Sequence, residues 1–290
     1  MKKILQLTLA CTALSVALLG CGGGGGGGGN DLGPITSPGA NYVGSYSGKF
    51  SPTPSYITAS VTASDKEWRM NVKSSGVISG HTYNYATGGT FTSGTINSSG
   101  AFTAVQEGGS NGDITLSGTV DANGNVSGTW VWNKTVVSSS PTTGTFSGTK
   151  EVIPSPRFTD TGKGTIYDAF SNLTWLKNTD CFGLQSGVNA GTKASTLVSP
   201  NVSCGLSDGS VAGSWRLPTV GEIQIFVDDG YISNALTNVG FSNVRSDYYW
   251  TGTANPFNSN EAWGINMSNG SLISIDTGNS QYVWPVRTGQ

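Results

Sequence analysis

The chain has 290 residues, and only 11% of them are Asp, Glu, Lys or Arg, with a formal net charge of −2. Charged residues make up about a quarter of a typical globular protein, so this chain lacks the basic footprint that nucleic-acid binding requires. Its wealth of Gly, Ser, Thr and Asn, together with 10% aromatics, fits an extracytoplasmic β-rich protein of two domains.

The first element is an address. Met1-Lys2-Lys3 is a short basic start, and Ile4 to Leu19 is an almost unbroken apolar run. That run is short for a bilayer span and has the form of a secretory signal. Leu18-Leu19-Gly20-Cys21 resembles the lipobox of bacterial lipoproteins. The resemblance implies cleavage before Cys21 and acylation of that cysteine, and several acyl chains together anchor stably. Residues 1–20 are then a signal peptide, which takes Cys11 with it, and residues 21–40 a lipid-anchored tether. Gly22–Gly29 has no side chains to bury, so the tether stays a coil spanning about 25 Å. No Asp follows Cys21, which favours the outer membrane and display at the cell surface, with the periplasmic face as the alternative. After loss of Lys2 and Lys3, thirteen basic residues face seventeen acidic ones.

Residues 41–150 read as a β domain. A phrase recurs at irregular spacing: SYSGK at Ser45, FTSGT at Phe91, TLSGT at Thr115, NVSGT at Asn125 and TFSGT at Thr145. Ile114, Leu116, Gly118 and Val120 alternate with polar residues, as do Val126, Gly128, Trp130 and Trp132, with Asp121–Asn125 as a hairpin turn between them. Tyr46, Gly48 and Phe50 keep the same phase, so glycine falls on the apolar side, where a strand bends or another backbone approaches. Strands joined by tight turns predict an antiparallel barrel or sandwich. A hollow barrel could hold an apolar ligand, although an interior filled by side chains is the commoner case. His81, in SGHTYNY, reads as a surface-loop residue.

Pro154 and Pro156 stiffen a linker over residues 151–156, and residues 157–290 form a second domain. RFTDTGKGTIYDAFSNLTWLK reads as a hairpin with Gly162-Lys163-Gly164 at its tip and Trp175 on a core strand. In WRLPTVGEIQIFVDD, Thr219 caps a helix and Glu222 completes a capping box; Val220, Ile223, Phe226 and Val227 make its buried stripe. YYWTGTA, EAWGINMSNGSLISI and QYVWPVR give strands, with Asn269-Gly270 as a hairpin turn. Cys181 and Cys204 remain besides the anchor, and an oxidising compartment favours their pairing. Zinc fits less well, because His81 lies far away in the chain.

The ordered phrases resemble the Lcl-type C-terminal domain, named for a bacterial collagen-like adhesin and related to the C-type-lectin-like fold. They are carried by Asp160, Gly162, Gly164, Thr165, Asp168, Leu173, Trp175, Trp215–Thr219, Trp250, Trp263, Asn269, Gly270 and Arg287. The resemblance implies an irregular α+β domain displayed outside the cell; in the adhesin it binds sulfated polysaccharide and forms trimers, but the collagen-like Gly-x-y repeats are missing here, so the trimer does not carry over automatically. Calcium-dependent lectin loops of the EPN, QPD or WND type do not occur. Formylglycine-generating enzymes share the fold but need a cysteine pair near the C-terminus, and no thiol follows Cys204. An anionic domain also sits awkwardly with a sulfated ligand, which calls for clustered Arg and Lys.

No catalytic set emerges. G-x-S-x-G occurs at Gly108–Gly112 and Gly205–Gly209, but 43 glycines explain that by chance, and His81 is the only histidine. Asp228-Asp229 at a helix end point about 100° apart, which suits a solvated helix end better than a glycosidase pair. Asp160 and Asp168 could offer oxygens to calcium, but Lys163 in the same loop favours a structural turn. Trp250, Trp263 and Trp284 belong to the core. Tyr248, Phe257 and Tyr282, read as loop aromatics, are the candidates for stacking on sugar rings.

The expectation is a non-enzymatic, membrane-anchored envelope protein without cofactor or metal, binding polysaccharide or an envelope protein through residues 157–290. The alternatives are a structural module of an envelope assembly or secretion complex, and a hydrolase whose acid/base site the sequence order hides.

Overall fold

The structure is a computed structural model that describes residues 42–52, 66–82, 89–107, 112–133, 142–255 and 258–290. The signal peptide, Cys21 and the glycine tether lie outside the described residues, as do Gly108–Asn111 of the first G-x-S-x-G and Phe257. The fold is mostly β, as expected: among the described residues a nearly closed eight-stranded antiparallel barrel is followed by two small sheets and three helices.

The barrel is built from β1 (Gly44–Ser51), β2 (Trp68–Val72), β3 (Ile78–Thr82), β4 (Ser93–Ile96), β5 (Ala101–Gln106), β6 (Asp113–Val120), β7 (Asn125–Asn133) and β8 (Thr142–Lys150). Their order, β3-β2-β1-β8-β7-β6-β5-β4, pairs each strand with its sequence neighbours except at β3 and β4, the two ends of the sheet. The ring is drawn together between β3 and β4, where bridges join Val77 to Thr95 and His81 to Thr90. Backbone bonds from Phe91 to Gly80 (2.7 Å) and from Ile96 to Gly76 (2.9 Å) stitch the same seam. This near-closure brings the two edge strands, β3 and β4, against each other, which limits the free edge that would otherwise invite aggregation.

The alternation read from β6 and β7 sets the interior. Ile114, Leu116, Val120, Val126 and Trp130 are buried there with Tyr46, Phe50, Trp68, Met70, Phe102 and Phe146. The recurring glycines explain how such large rings fit. Gly48 pairs with Gly148 and Gly118 with Gly128 across adjacent strands. A Cβ on Gly48 would lie 2.6 Å from the Trp68 ring, and one on Gly128 would lie 2.7 Å from the Phe146 ring. Each glycine pair is therefore the seat of an aromatic side chain. Phe146 in turn meets Trp68 at 5.5 Å and Phe102 at 5.9 Å between ring centroids. These side chains occupy the barrel interior.

The C-terminal part contains β9 (Phe158–Asp160), β10 (Thr165–Asp168), β11 (Leu173–Leu176), β12 (Leu184–Ser186), α1 (Gly187–Ser195), α2 (Val220–Asp228), α3 (Asn234–Asn238), β13 (Tyr248–Ala254), β14 (Glu261–Asn266), β15 (Leu272–Asp276), β16 (Ser280–Tyr282) and β17 (Val286–Thr288). One sheet runs β17-β11-β10-β9 and the other β12-β16-β13-β14-β15. Gly162-Lys163-Gly164 is the tip between β9 and β10, and Gly270, with φ +77°, turns the β14–β15 hairpin. The capping box is formed: Thr219 Oγ1 accepts from Glu222 N at 3.3 Å, and Glu222 accepts from Thr219 N at 2.8 Å. Trp175, Phe226, Phe241 and Trp284 form the centre, with Trp284 4.7 Å from Trp175 and 5.0 Å from Phe241. Trp250 and Trp263 are buried too. Cys181 and Cys204 form a disulfide.

Two readings are corrected where the barrel meets this part. His81 is not a surface-loop residue: it lies on β3 and is 3% exposed. Asp228 and Asp229 are not a solvated helix end, their side chains being 4% and 9% exposed. The cause is shared. The outward face of β1, β2 and β3 is covered by the C-terminal end of α2, so polar residues that alternation sends outward meet protein instead of water.

Candidate functional site

The outward face of the barrel presents Ser45, Arg69 and His81, and Arg69 and His81 are register partners on β2 and β3. Arg69 is buried and donates to Glu151 (2.9 Å), Asp229 (2.7 Å) and Asp228 (3.5 Å). His81 Nδ1 lies 2.7 Å from Asp228 Oδ2. Arg157 grips Asp168 with two bonds of 2.8 and 2.9 Å and reaches Asp229 at 2.6 Å. Its guanidinium carbon also lies 4.8–5.3 Å from the ring centroids of Phe158, Phe170, Phe226 and Tyr231, where each aromatic face attracts the cation. Burial by itself would raise the Asp228 carboxyl, but His81 and Arg69 outweigh it and hold the group below the ordinary carboxylate range. This junction is saturated with internal partners. It joins the barrel to the C-terminal part.

A cleft lies elsewhere, among residues 157–290. Asp160, Gly162, Gly164, Lys177, Asn178, Ser203, Gly205 and Ser242 line a cleft of about 450 Å³ together with Val202 and Cys204. Four connections converge on it: the β9–β10 turn, the segment leaving β11, the loop held by the disulfide and, through Ser242, the α3–β13 connection. Gly164 allows the first and last to touch backbone to backbone, since a Cβ there would sit 2.7 Å from the carbonyl carbon of Gly205. Ser207 N donates to Lys163 O (2.9 Å) and Lys177 N to Gly164 O (3.0 Å), fixing the turn against both neighbours. At the rim, Lys177 Nζ donates to Asp160 at 2.6 Å, and both side chains keep a large exposed share, 36% and 43%. The Lys177 bond and the Gly162 amide lower the Asp160 carboxyl, which therefore stays ionised.

The residues singled out from the sequence fall unevenly around this cleft. Asp160, Gly162 and Gly164 line it, and Cys204 reaches its wall. Asp160 and Asp168 do not converge, because they occupy opposite ends of the β9–β10 ladder. Asp168 is taken up by Arg157, the Phe170 amide and Ser171. Tyr248 and Tyr282 are strand residues, not loop residues, and both are half-buried. Tyr282 packs on Tyr249 (5.5 Å), its partner on β13. Tyr248, next in sequence to Tyr249, points to the other face, so the two tyrosines do not form one platform. Lys177, Asn178, Ser203 and Ser242 escaped the sequence reading, since they come from separate loops without a shared motif.

Electrostatically, residues 157–290 hold seven Lys and Arg against ten Asp and Glu, a net charge of −3. Five of the seven cations are in ion pairs: Arg157, Lys177, Arg216, Arg245 and Arg287. No curated protein matches the chain. Residues 164–287, from the last glycine of the cleft-lining turn to the arginine of β17, match the family model of the Lcl C-terminal domain.

Proposed function

We propose that the protein is a lipid-anchored envelope protein that works by holding, its Lcl C-terminal domain binding polysaccharide or a protein partner at the cell surface. The match of residues 164–287 to the Lcl C-terminal domain carries this reading, because that family suggests a surface or adhesin-like protein. The leader and Cys21 supply the anchor, and the glycine run supplies the reach. A barrel with its own rings in the interior fits a spacer that carries the domain away from the lipid.

The anchor is tested by metabolic labelling with a fatty-acid analogue, where the product should be marked and Cys21→Ser unmarked and released from membranes. Protease shaving of intact cells decides the exposed face. Glycan arrays and pull-downs with the anchored protein test the holding role. Hydrolytic turnover of a bound glycan, or an unlabelled mature product, overturns the corresponding half.

A structural role within an envelope assembly is the second reading. It is favoured by the ionic junction of Arg69, Arg157, Asp228 and Asp229, which fastens the domain to the barrel as a rigid part would need. On that reading, deleting residues 157–290 disturbs a complex and leaves adhesion unchanged.

A further inference from the structure

We infer that the cleft beside the Gly162-Lys163-Gly164 turn is the glycan contact of this domain, and that it takes an uncharged, hydroxyl-rich saccharide instead of a sulfated one. The inference rests on the polysaccharide-binding reading above and names its site and ligand class.

Size permits it. A cleft of about 450 Å³ falls in the range of about 300–1,000 Å³ found for small-ligand sites. Chemistry selects within that range. A sugar hydroxyl both donates and accepts, so its best partners are an acceptor and a donor held close together. Asp160 and Lys177 provide such a couple, fixed 2.6 Å apart and still exposed enough to offer their remaining lone pairs and N–H groups. Ser203 and Ser242 line the same cleft, the Ser242 hydroxyl donating to Lys177 O at 3.3 Å. The missing side chain of Gly164 lets its backbone lie against that of the Gly205 loop, which brings the two cleft-lining loops together.

Charge excludes the sulfated alternative. Sulfate recognition needs cations whose hydrogen bonds are free to turn to the anion, preferably Arg in a bidentate fork. In this domain every Arg is already paired with a carboxylate, and Lys177 with Asp160. Among the described residues of the domain, Lys163 and Lys193 alone stand outside the ion pairs. Lys163 stands three residues from Asp160, and the domain as a whole is anionic. A polyanion approaching it meets net repulsion.

The test uses the full chain in detergent, with neutral oligosaccharides of several linkages and heparin as probes, each at low and high salt. Neutral oligosaccharide is expected to bind with little salt dependence, and heparin to fail. The double variant Asp160→Asn with Lys177→Gln should weaken that binding at least tenfold while the melting temperature stays put, since an exposed pair adds little to stability. Lys193→Met should change nothing. Heparin binding that disappears with salt overturns the inference. So does neutral-glycan binding that survives the double variant, although the polysaccharide reading then stands. Absence of binding to either class overturns both, and pull-down of a protein partner then separates the remaining role.

Discussion

The barrel and the Lcl domain solve the same problem, burying aromatic rings in a poorly charged chain, by opposite routes. In the barrel the strands pair with their sequence neighbours everywhere but at the β3–β4 seam, and Trp68 and Phe146 sit over glycine pairs on adjacent strands. Contacts there are regular and shared among many residues. The Lcl domain joins β11 to β17 and β12 to β16 across about a hundred residues of chain, and hangs its core on a few hubs. Trp284 alone touches the rings of Trp175, Phe226, Phe241 and Tyr249, and donates to Leu176 O at 2.8 Å. The difference teaches that stability is spread out in one region and concentrated in the other.

The largest effect should therefore come from a hub. Truncating a buried Trp to Ala costs about 3–5 kcal/mol. Trp284→Ala belongs at the upper end, about 5 kcal/mol, because it also strands the Leu176 carbonyl. Trp130→Ala in the barrel, whose ring meets Phe50 at 6.0 Å, belongs at the lower end, about 3 kcal/mol. Urea denaturation of the two variants measures both. Equal costs would break the comparison.

The junction between the regions comes next. Arg157→Met keeps much of the apolar contact with the surrounding rings but leaves Asp168 without its main partner and weakens the hold on Asp229. Removing one partner of a buried pair costs about 3–5 kcal/mol, and the remaining bonds from Arg69 and Ser45 to Asp229 put this case near 3 kcal/mol. The same junction predicts an acid limit. The Asp228 carboxyl is depressed in the folded protein, so its contribution is full above the ordinary carboxylate value and is lost as pH falls through the lower folded value. The denaturation midpoint should thus hold above about pH 4 and fall below it. Asp228→Asn should flatten that fall.

The disulfide tests concentration by another means. It joins positions 23 apart in sequence and ties the Asp180 segment to the cleft-lining loop. Closing such a loop contributes about 3 kcal/mol in the chain-entropy model. Cys181→Ser with Cys204→Ser should lower stability by that amount, and thiol labelling of the folded wild type before reduction should find neither sulfur.

What could be read from the sequence follows the same division. Period-two alternation placed Ile114, Leu116, Val126 and Trp130 inside before any tertiary contact was known, because a strand's faces are set locally. The capping box and Trp175 were equally local. Arg69, His81 and Asp228-Asp229 were not, because alternation and helix position say only that they leave their own core. Whether they then meet water or another surface depends on a partner some eighty to one hundred and sixty residues distant. The cleft was half legible: the turn residues Asp160, Gly162 and Gly164 stand in one phrase, whereas Lys177, Ser203 and Ser242 are gathered only by the folding of three loops.

The smallest effect should fall where the Lcl domain is most local, at the start of α2. An N-cap threonine is worth about 1 kcal/mol. Here Glu222 would keep its place without it, because Arg216 binds the carboxylate through two bonds of 2.6 and 2.7 Å. Thr219→Ala thus deletes one accepted bond and leaves the return bond from Glu222 to the backbone of residue 219 intact. The expected loss is at most about 1 kcal/mol, read as a small shift in the urea midpoint with unchanged slope. Glu222→Ala should cost clearly more, since it removes the second half of the cap and frees Arg216. A Thr219→Ala loss approaching that of Trp284→Ala would mean that local helix initiation governs this domain, and the contrast drawn between the two regions would fail.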